Sequence, residues 1–381
     1  MPRIVFIWHA AVLAPYRKLL EELYEISGAD LHLIVPQRWP EAGMNLSAPP
    51  GPQRGYYIHV LLTWFIGRHY LYFMPGLARS LKTLRPDIIY CYAGAYWLNT
   101  FWTLWLVRRH LPHTRVVFVS DQTLHKTYPA PFSWFESWVF HRADFATSCD
   151  SEGVRRLWQK GFPQDRTATV PLGFDPAVFH AERISTRILC GNPTPLRILY
   201  AGRLLAMKGV QDLIDACALL REPYTLTIAG DGPERSGLEK SAVAQGVSAA
   251  FCGVLEPAEV AHLMRTSDVL VLPSHTIPGK WKEQFGRVLV EAMASGCVPI
   301  GSDSGAIPSV IGTAGLVFPE GDAKNLAQCL DSVAGPRELL ARLRVRALAR
   351  ANECYSWHAV AQVLWPALQH VLATPPRSLA S

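Results

Sequence analysis

Two α/β domains, each wound around a mostly parallel sheet, are what this sequence predicts. Three observations carry the reading. Short apolar runs rich in β-branched residues alternate with helical stretches along nearly the whole chain, and that alternation builds parallel, doubly wound sheets. The alternation lapses once, over "AERISTRILCGNPTPL" at 181–196, where Pro, Gly, Asn and Thr accumulate. The 381 residues also exceed what one core usually organises. The expected division is therefore a first domain over 1–185, a linker over 186–196 and a second domain over 197–357.

The elements follow in order. "RIVFIWHA" reads as a strand, "APYRKLLEELYEI" as a helix and "ADLHLIVP" as a strand. "PDIIYCY" and "TRVVFVS" are further buried-strand runs. "FESWVFHRA" is helical, "DFATSCD" a strand, "EGVRRLWQKG" a helix closed by Gly161, and "TATVPLGFD" the last strand of the first series. The second series runs "LRILYAG" (strand), "VQDLIDACALL" (helix), "YTLTIAG" and "AAFCGV" (strands) and "AEVAHLMRTS" (helix). It continues with "DVLVLPS" (strand), "FGRVLVEAMASG" (helix) and "VPIGSD" (strand). "SWHAVAQVLWPALQHVL" predicts an amphipathic helix interrupted near Pro366. Two domains of this kind imply a cleft, and clefts hold ligands.

Composition narrows the partners. Hydrophobic residues make up 49% and charged residues 18%, as in a folded α/β protein. The net charge of +6 favours an anionic small molecule or lipid surface and is too small and too scattered for nucleic acid. Eight cysteines, Cys91, Cys149, Cys190, Cys217, Cys252, Cys297, Cys329 and Cys354, show no CxxC pair and no zinc spacing. They read as buried thiols in a reducing compartment, as in "FCGV". The apolar start reads as a first strand, because His9 breaks the run, and no stretch reaches 18 apolar residues. A cytoplasmic protein is expected.

The chemistry concentrates in "KEQFGRVLVEAMASGCVPIGSDSGAIPSVI", 282–311. A helix over about 285–295 places Glu283 before its start and Glu291 one to two turns in. The free amides of Gly286, Arg287 and Val288 lie between them. A helix N-terminus is an anion site, and glycine lets the anion approach. The order acid, anion hole, acid matches sugar hydroxyls, pyrophosphate and ribose hydroxyls, since a carboxylate accepts paired hydrogen bonds from neighbouring hydroxyls. The alternative reading is a capping acid and an exposed helix Glu. "YAGRLLAMKGV" sets Arg203 and Lys208, beside Gly202, in a loop after a strand, where two cations can neutralise a pyrophosphate. Gly230, Asp231 and Gly232 end another strand in a turn that a nucleotide can lie against. Arg235 breaks a dinucleotide GxGxxG fingerprint, which disfavours an oxidoreductase. The backbone at Val254 and Leu255 could read a base edge. "GSDSG" at 301–305 has one acid and reads as a loop rather than a metal site.

Taken together, "AGRL" with the following "KG", "IAGDGPE", "FCGVLEPAEVAHLMRTSDVLVLPS" and "EQFGRVLVEAMASGCVPIGSDSGAIPSVI" resemble the retaining glycosyltransferases of family 4. The resemblance covers most of 197–357, and "ADFATSCDSEGVRRLWQKGFPQDRTATVPLGFDPAVF" is similar to that family's segment before the linker. It implies a GT-B fold, two Rossmann-like domains facing across a cleft, with a C-terminal helix over about 358–375 returning to the first domain. It implies that Glu283 contacts the donor sugar, that Arg203 and Lys208 hold the diphosphate with the amides near Phe285, Gly286, Arg287 and Val288, and that Glu291 binds the ribose. It implies transfer with retention and no cofactor or divalent metal. Catalysis would rest on positioning and charge stabilisation.

The acceptor side is harder to read. Where the resemblance leads one to expect a His after "RVVFVS", this chain has Asp121, followed by Gln122, His125 and Lys126. Asp121 reads either as an acceptor-orienting group or as a turn cap. Tyr16 and Arg17 read either as acceptor contacts or as an ordinary helix start. The aromatic stretch 55–87, with Arg79, Lys82 and Arg85, reads either as a patch docking on the inner membrane face or as a strand and a core-packing helix. The leading expectation is a hexosyltransferase moving sugar from a UDP- or GDP-sugar to a hydroxyl of a polysaccharide, glycolipid or metabolite. The alternatives are a sugar-nucleotide epimerase or hydrolase of the same fold, or a non-catalytic nucleotide-sugar-binding module.

Overall fold

The computed structural model describes residues 1–377 except 42–43, 121, 123, 125, 183–194 and 336. The chain divides into two compact domains, Met1–Gly173 with Trp357–Ser381, and Phe174–Ser356. The first boundary thus falls at Gly173, ahead of the expected 185. The reason is local: Phe174 N–H donates to the Tyr355 carbonyl at 3.2 Å, which ties the segment after Gly173 to the second domain. The expected linker 186–196 lies mostly outside the described residues.

The first domain is a sheet of eight strands. They are β1 (Arg3–Ile7), β2 (Asp30–Pro36), β5 (Gly51–Gln53), β6 (Tyr56–Leu61), β7 (Ile88–Cys91), β8 (Arg115–Val119), β9 (Phe145–Ser148) and β10 (Thr167–Thr169). A small hairpin, β3 (Trp39–Glu41) with β4 (Met44–Leu46), stands apart. The order is β10-β9-β8-β7-β1-β2-β6-β5, parallel throughout except for β5. Strands buried along nearly their whole length, such as RIVFI and RVVFV, are those expected of a sheet covered on both faces. The last strand is shorter than "TATVPLGFD" suggested and ends just before Val170 and Pro171. Helices α1 (Ala14–Ser27), α2 (Leu77–Leu84), α3 (Leu98–His110), α4 (Phe132–Arg142) and α5 (Ser151–Gln159) supply the covering layers. Asp150 caps α5 by accepting from Gly153 N–H at 2.8 Å, and Gly161 follows its end with a positive φ.

The second domain has six parallel strands. They are β11 (Leu196–Ala201), β12 (Tyr224–Ala229), β13 (Ala249–Gly253), β14 (Val269–Leu272), β15 (Val298–Ser302) and β16 (Leu316–Phe318), in the order β13-β12-β11-β14-β15-β16. Its helices are α6 (Val210–Cys217), α7 (Arg235–Ala244), α8 (Pro257–Thr266), α9 (Arg287–Ala294), α10 (Ile307–Ile311), α11 (Ala323–Ala334) and α12 (Arg337–Arg350). The strand order reverses between β11 and β14, so the loops leaving those two strands diverge and open a crevice at their carboxyl ends. Cys252 is exposed, contrary to the buried reading of "FCGV", because β13 is an edge strand with alternating exposure.

Helix α13 (Trp357–Ala373) belongs to the first domain and packs along α1. It runs unbroken through Pro366, where an interruption was expected. Pro366 is exposed, so the carbonyl it leaves unbonded can be hydrated, while Val360, Ala361, Leu364, Leu368 and Val371 anchor the opposite face in the core. Among the described residues no helix is long and apolar enough to cross a membrane.

Each domain secures the start of an inner strand with a buried aspartate. Asp144, just before β9, accepts from Val116 N–H at 2.7 Å and from the Arg108 guanidinium at 2.7 Å. Asp268, just before β14, accepts from Arg197 N–H at 3.0 Å and pairs with the Arg197, Arg337 and Arg344 side chains. Burial works against the Asp268 charge, but the Arg197 hydrogen bonds outweigh it and hold the carboxyl below its usual range. Its stabilisation is therefore present at neutral pH and lost as pH falls through the depressed value. Arg108 is almost wholly enclosed, so Asp144→Ala strands a buried cation. We expect a loss of about 3–5 kcal/mol in urea unfolding; a loss below about 1 kcal/mol would show that the pair is solvated.

Candidate active site in the second domain

The crevice at the strand-order reversal is a cavity of about 790 Å³. The loop after β11 contributes Gly202, Arg203 and Lys208, and the turns after β12 and β13 contribute Gly230, Asp231, Val254 and Leu255. The segment entering α9 contributes Glu283, Gly286, Arg287, Val288 and Glu291. Residues from four separate loops, predicted from scattered motifs, thus line one space.

The loops are fitted backbone to backbone. Gly230 has φ +136, and a Cβ there would lie 1.8 Å from the Gly202 carbonyl oxygen. Its N–H donates to the Gly253 carbonyl at 2.7 Å, and Gly202 N–H donates to the Ala229 carbonyl at 2.9 Å. Gly286, at φ +74, turns the chain into α9 and presents the first-turn amides to the cavity.

At the centre, Lys208 Nζ donates to Glu283 Oε2 at 2.5 Å, and Ser274 Oγ donates to the same oxygen at 2.9 Å. Lys208 also sits over the Trp281 ring, 4.9 Å from its centroid. Glu283 is buried and its backbone is held as well: Ala306 N–H donates to its carbonyl at 3.0 Å. Arg203, in contrast, is exposed and has no ion-pair partner among the described residues. The Tyr200 hydroxyl donates to the Arg203 carbonyl at 2.9 Å, and burial, with the Glu283 charge adding to it, keeps that phenol protonated. Glu291 accepts from Arg287 Nε at 3.2 Å. Burial raises its carboxyl above the usual range, and the Arg287 charge opposes that shift without cancelling it.

Two expected residues lie outside the cavity lining. Phe285 is buried and packs edge-on to Tyr355 at 5.8 Å. Gly232 packs its backbone against Leu204, where a Cβ would meet the carbonyl oxygen at 2.3 Å. Sequence reasoning missed Ser274, Trp281 and Tyr200. It also missed the work of "GSDSG" as a buttress. Ser302 Oγ donates to the Ser274 carbonyl at 2.5 Å, Ser304 Oγ meets Thr276 Oγ at 2.9 Å, and Gly305 leaves room for the Glu283 carbonyl. A Ser-rich turn directly after a buried strand was the available signal. No group of three or more potential metal ligands occurs among the described residues.

In the first domain the expected acceptor-side residues that are described have separate surroundings. Asp121 and His125 lie outside the described residues. Tyr16 packs against Trp8 and Trp357 at ring distances of 5.2 and 6.4 Å. Arg17 has a buried Nη1 without a hydrogen-bond partner. Gln122 Nε2 donates to Tyr96 Oη at 3.1 Å, and Lys126 lines a separate cavity.

Two family models match the chain: Glycosyltransferase Family 4 over residues 17–178 and Glycosyl transferases group 1 over 188–350. The chain belongs to the group 1, family 4 glycosyltransferases. It is a glycosyltransferase of the GT-B fold. Among relatives, it is 29% identical over 209 residues to the sulfoquinovosyl transferase of Arabidopsis thaliana, a match spanning 54% of this chain and 38% of that protein. It is 27% identical over 303 residues to a GDP-mannose-dependent alpha-(1-6)-phosphatidylinositol dimannoside mannosyltransferase of Mycobacterium tuberculosis, spanning 76% and 75%. The structure of Anabaena HepE in complex with UDP and glucose superposes with a TM-score of 0.68 at 18% identity, covering 97% of this chain and all of that one. At that identity the likeness concerns the fold.

Proposed function

We propose that the transferase moves a hexosyl group, with retention, from a UDP- or GDP-sugar bound in the second-domain cavity to a hydroxyl acceptor. The observation that carries this reading is that Glu283, the α9 amides and Glu291 line one cavity together with Arg203 and with Lys208, which is bonded to Glu283. Arg203 and Lys208 hold the diphosphate together with the Gly286–Val288 amides. Glu291 takes the ribose hydroxyls and Glu283 the sugar hydroxyls. The nucleotide-sugar chemistry of relatives and structural neighbours supports a donor of this class: one relative's name specifies GDP-mannose, and one neighbour's structure was solved with UDP and glucose. In the proposed step the sugar C1–O bond to the diphosphate breaks as positive charge develops on the ring. The departing phosphate oxygen takes the acceptor hydroxyl's proton, and the acceptor oxygen bonds to C1 on the same face. Two cations stabilise the leaving diphosphate electrostatically.

The two acids separate under mutation. Glu291→Ala should weaken binding of the bare nucleoside diphosphate by about 1.5–3 kcal/mol, read by calorimetry. Glu283→Ala should leave that affinity within about threefold, or tighten it by releasing Lys208, while turnover falls by about 10²–10³-fold. The reverse pattern would exchange their roles, and no change in either quantity would remove the main support for the reading.

We further propose that no divalent ion is required, since Arg203 and Lys208 supply the positive charge that a metal would. Initial rates should survive EDTA. Abolition, with rescue by magnesium or manganese, would overturn this.

We also propose that the acceptor is met at an anionic membrane surface, through the segment 55–87. Leu62, Trp64, Phe65 and Tyr70 are each more than half exposed, and Phe65 is held at φ +55 between the paired Trp64 and Phe73. The segment carries Arg68, Arg79, Lys82 and Arg85 against a single acid, Asp87. Other aromatics of the stretch, Tyr56 and Tyr72, are core residues, so only part of it is available. The protein should float with phosphatidylglycerol vesicles, less with phosphatidylcholine alone, and the W64A/F65A variant should remain at the bottom of the gradient. Flotation that is unaffected by the double substitution would refute this surface.

A further inference from the structure

The first domain holds a second cavity, of about 850 Å³, that the transferase reading leaves without a role. One wall is a single face of α4, where Ser133, Glu136, Ser137, Phe140 and His141 follow helical spacing. The other walls are Lys126 and Tyr128 from the loop after β8, Lys160 at the end of α5, Arg166, and the segment Pro375–Arg377 after α13.

Its charges are unbalanced. The one lining carboxylate, Glu136, is taken by Lys160 at 2.7 Å. Lys160 in turn sits 5.0 Å from the centroid of the Tyr128 ring. Lys126, Arg166 and Arg377 have no carboxylate partner among the described residues. Arg377 Nη1 donates to the Phe140 and His141 carbonyls at 3.1 and 2.9 Å, which fixes the guanidinium at the end of α4. The nearby Asp144 accepts the Arg377 backbone N–H but is committed to Arg108. Asp165, beside Arg166, acts on Arg377 only weakly, for burial and then the Arg166 charge push the Arg377 guanidinium down. The Arg166 charge thus acts on Arg377, and the opposing charges of Asp144 and Asp165 do not cancel burial and that repulsion. One polar atom adds to this: Arg166 Nη1 is buried without a hydrogen-bond partner, whereas the Tyr128 ring is stacked on Tyr96 at 3.9 Å. Buried donors are almost always satisfied, so an unsatisfied guanidinium nitrogen beside a groove this rich in cations supports an anionic ligand there.

We propose that this groove is a binding site for a phosphate-bearing ligand, its phosphate held between Arg166 and Arg377 and its organic part lying along Phe140 and Tyr128 toward Lys126. Paired guanidiniums suit a phosphate because each offers a fork of donors to its oxygens. The apolar wall suits an ester rather than the bare ion, and the volume falls within the range of small-molecule sites. All lining residues belong to the first domain, so the site binds whether or not the sugar-transfer reading holds.

Isothermal titration of the full chain with octyl phosphate and, separately, with inorganic phosphate tests this. The variants are R166Q/R377Q, R166K/R377K and, as a control for the second-domain cavity, R203Q. Octyl phosphate should bind wild type and R203Q alike. R166Q/R377Q should lose at least about tenfold in affinity, as expected for removing charge-assisted hydrogen bonds, and the lysine pair should recover part of it. Thermal unfolding at the wild-type temperature would show that the glutamine pair still folds. Tighter binding of octyl phosphate than of inorganic phosphate identifies an ester, such as a lipid phosphate, as the source; equal binding identifies the free ion at the same site. Affinity that survives R166Q/R377Q, affinity lost in R203Q, or no heat up to about 10 mM ligand would overturn the proposal.

Discussion

The ion pair between Lys208 and Glu283 is the interaction around which the second domain's site is built. It joins two loops 75 positions apart, one leaving β11 and one entering α9, at the place where the strand order reverses. Both partners are largely shielded from water, so the attraction is stronger than at a surface, and leaving either charge alone would be costly. On the proposed function, a diphosphate entering the cavity would compete with Glu283 for Lys208. Glu283 would then be released toward the sugar at the moment when a carboxylate is useful there. One contact is a structural tie and, on that reading, a reserve of charge.

That pair is held by its surroundings more than by its own geometry. Ser274 shares the carboxylate oxygen, Ser302 steadies Ser274 through its carbonyl, and Ala306 holds the Glu283 carbonyl. His275 N–H donates to the Met207 carbonyl at 2.8 Å, and its ring pairs with Asp212, which fixes the turn that carries Lys208. A site assembled from mobile loops would lose the entropy of ordering them on every binding event; here the ordering is already in place. The rigid floor beneath is the sheet, with Asp268 and its arginines securing the start of β14.

The first domain repeats the same logic at its own sheet, where Asp144 binds the start of β9 to β8 and to α3 through Arg108. It differs in what it leaves over. Its surface keeps exposed aromatics near Trp64 and Phe65, and its α4 groove keeps cations without carboxylates. An excess of apolar surface and of positive charge on one domain is consistent with a partner that is both apolar and anionic.

By itself, the sequence determined most of the elements and most of the residues that line the second-domain cavity. Buried parallel strands announce themselves as apolar runs, and Glu283, Gly286 and Glu291 line one cavity because all three belong to one short segment whose helical geometry is local. Arg203 and Lys208 were legible for the same reason. The tertiary structure alone decided the rest. Phe285 turned to the core, although its neighbour Gly286 lines the cavity, because Tyr355 from a distant helix end offers it a ring to pack on. Pro366 stayed helical because packing on the opposite face outweighs one missing hydrogen bond on the exposed one. Ser274 and the 302–305 turn became supports of Glu283 only once adjacent parallel strands had placed their ends side by side. The groove of Lys126, Arg166 and Arg377 draws on segments up to 251 positions apart in number, and no local pattern relates them. Local spacing carries information about side chains within a few turns of one another; which distant charges face one another, and which find no partner, is settled only by the packing of whole elements.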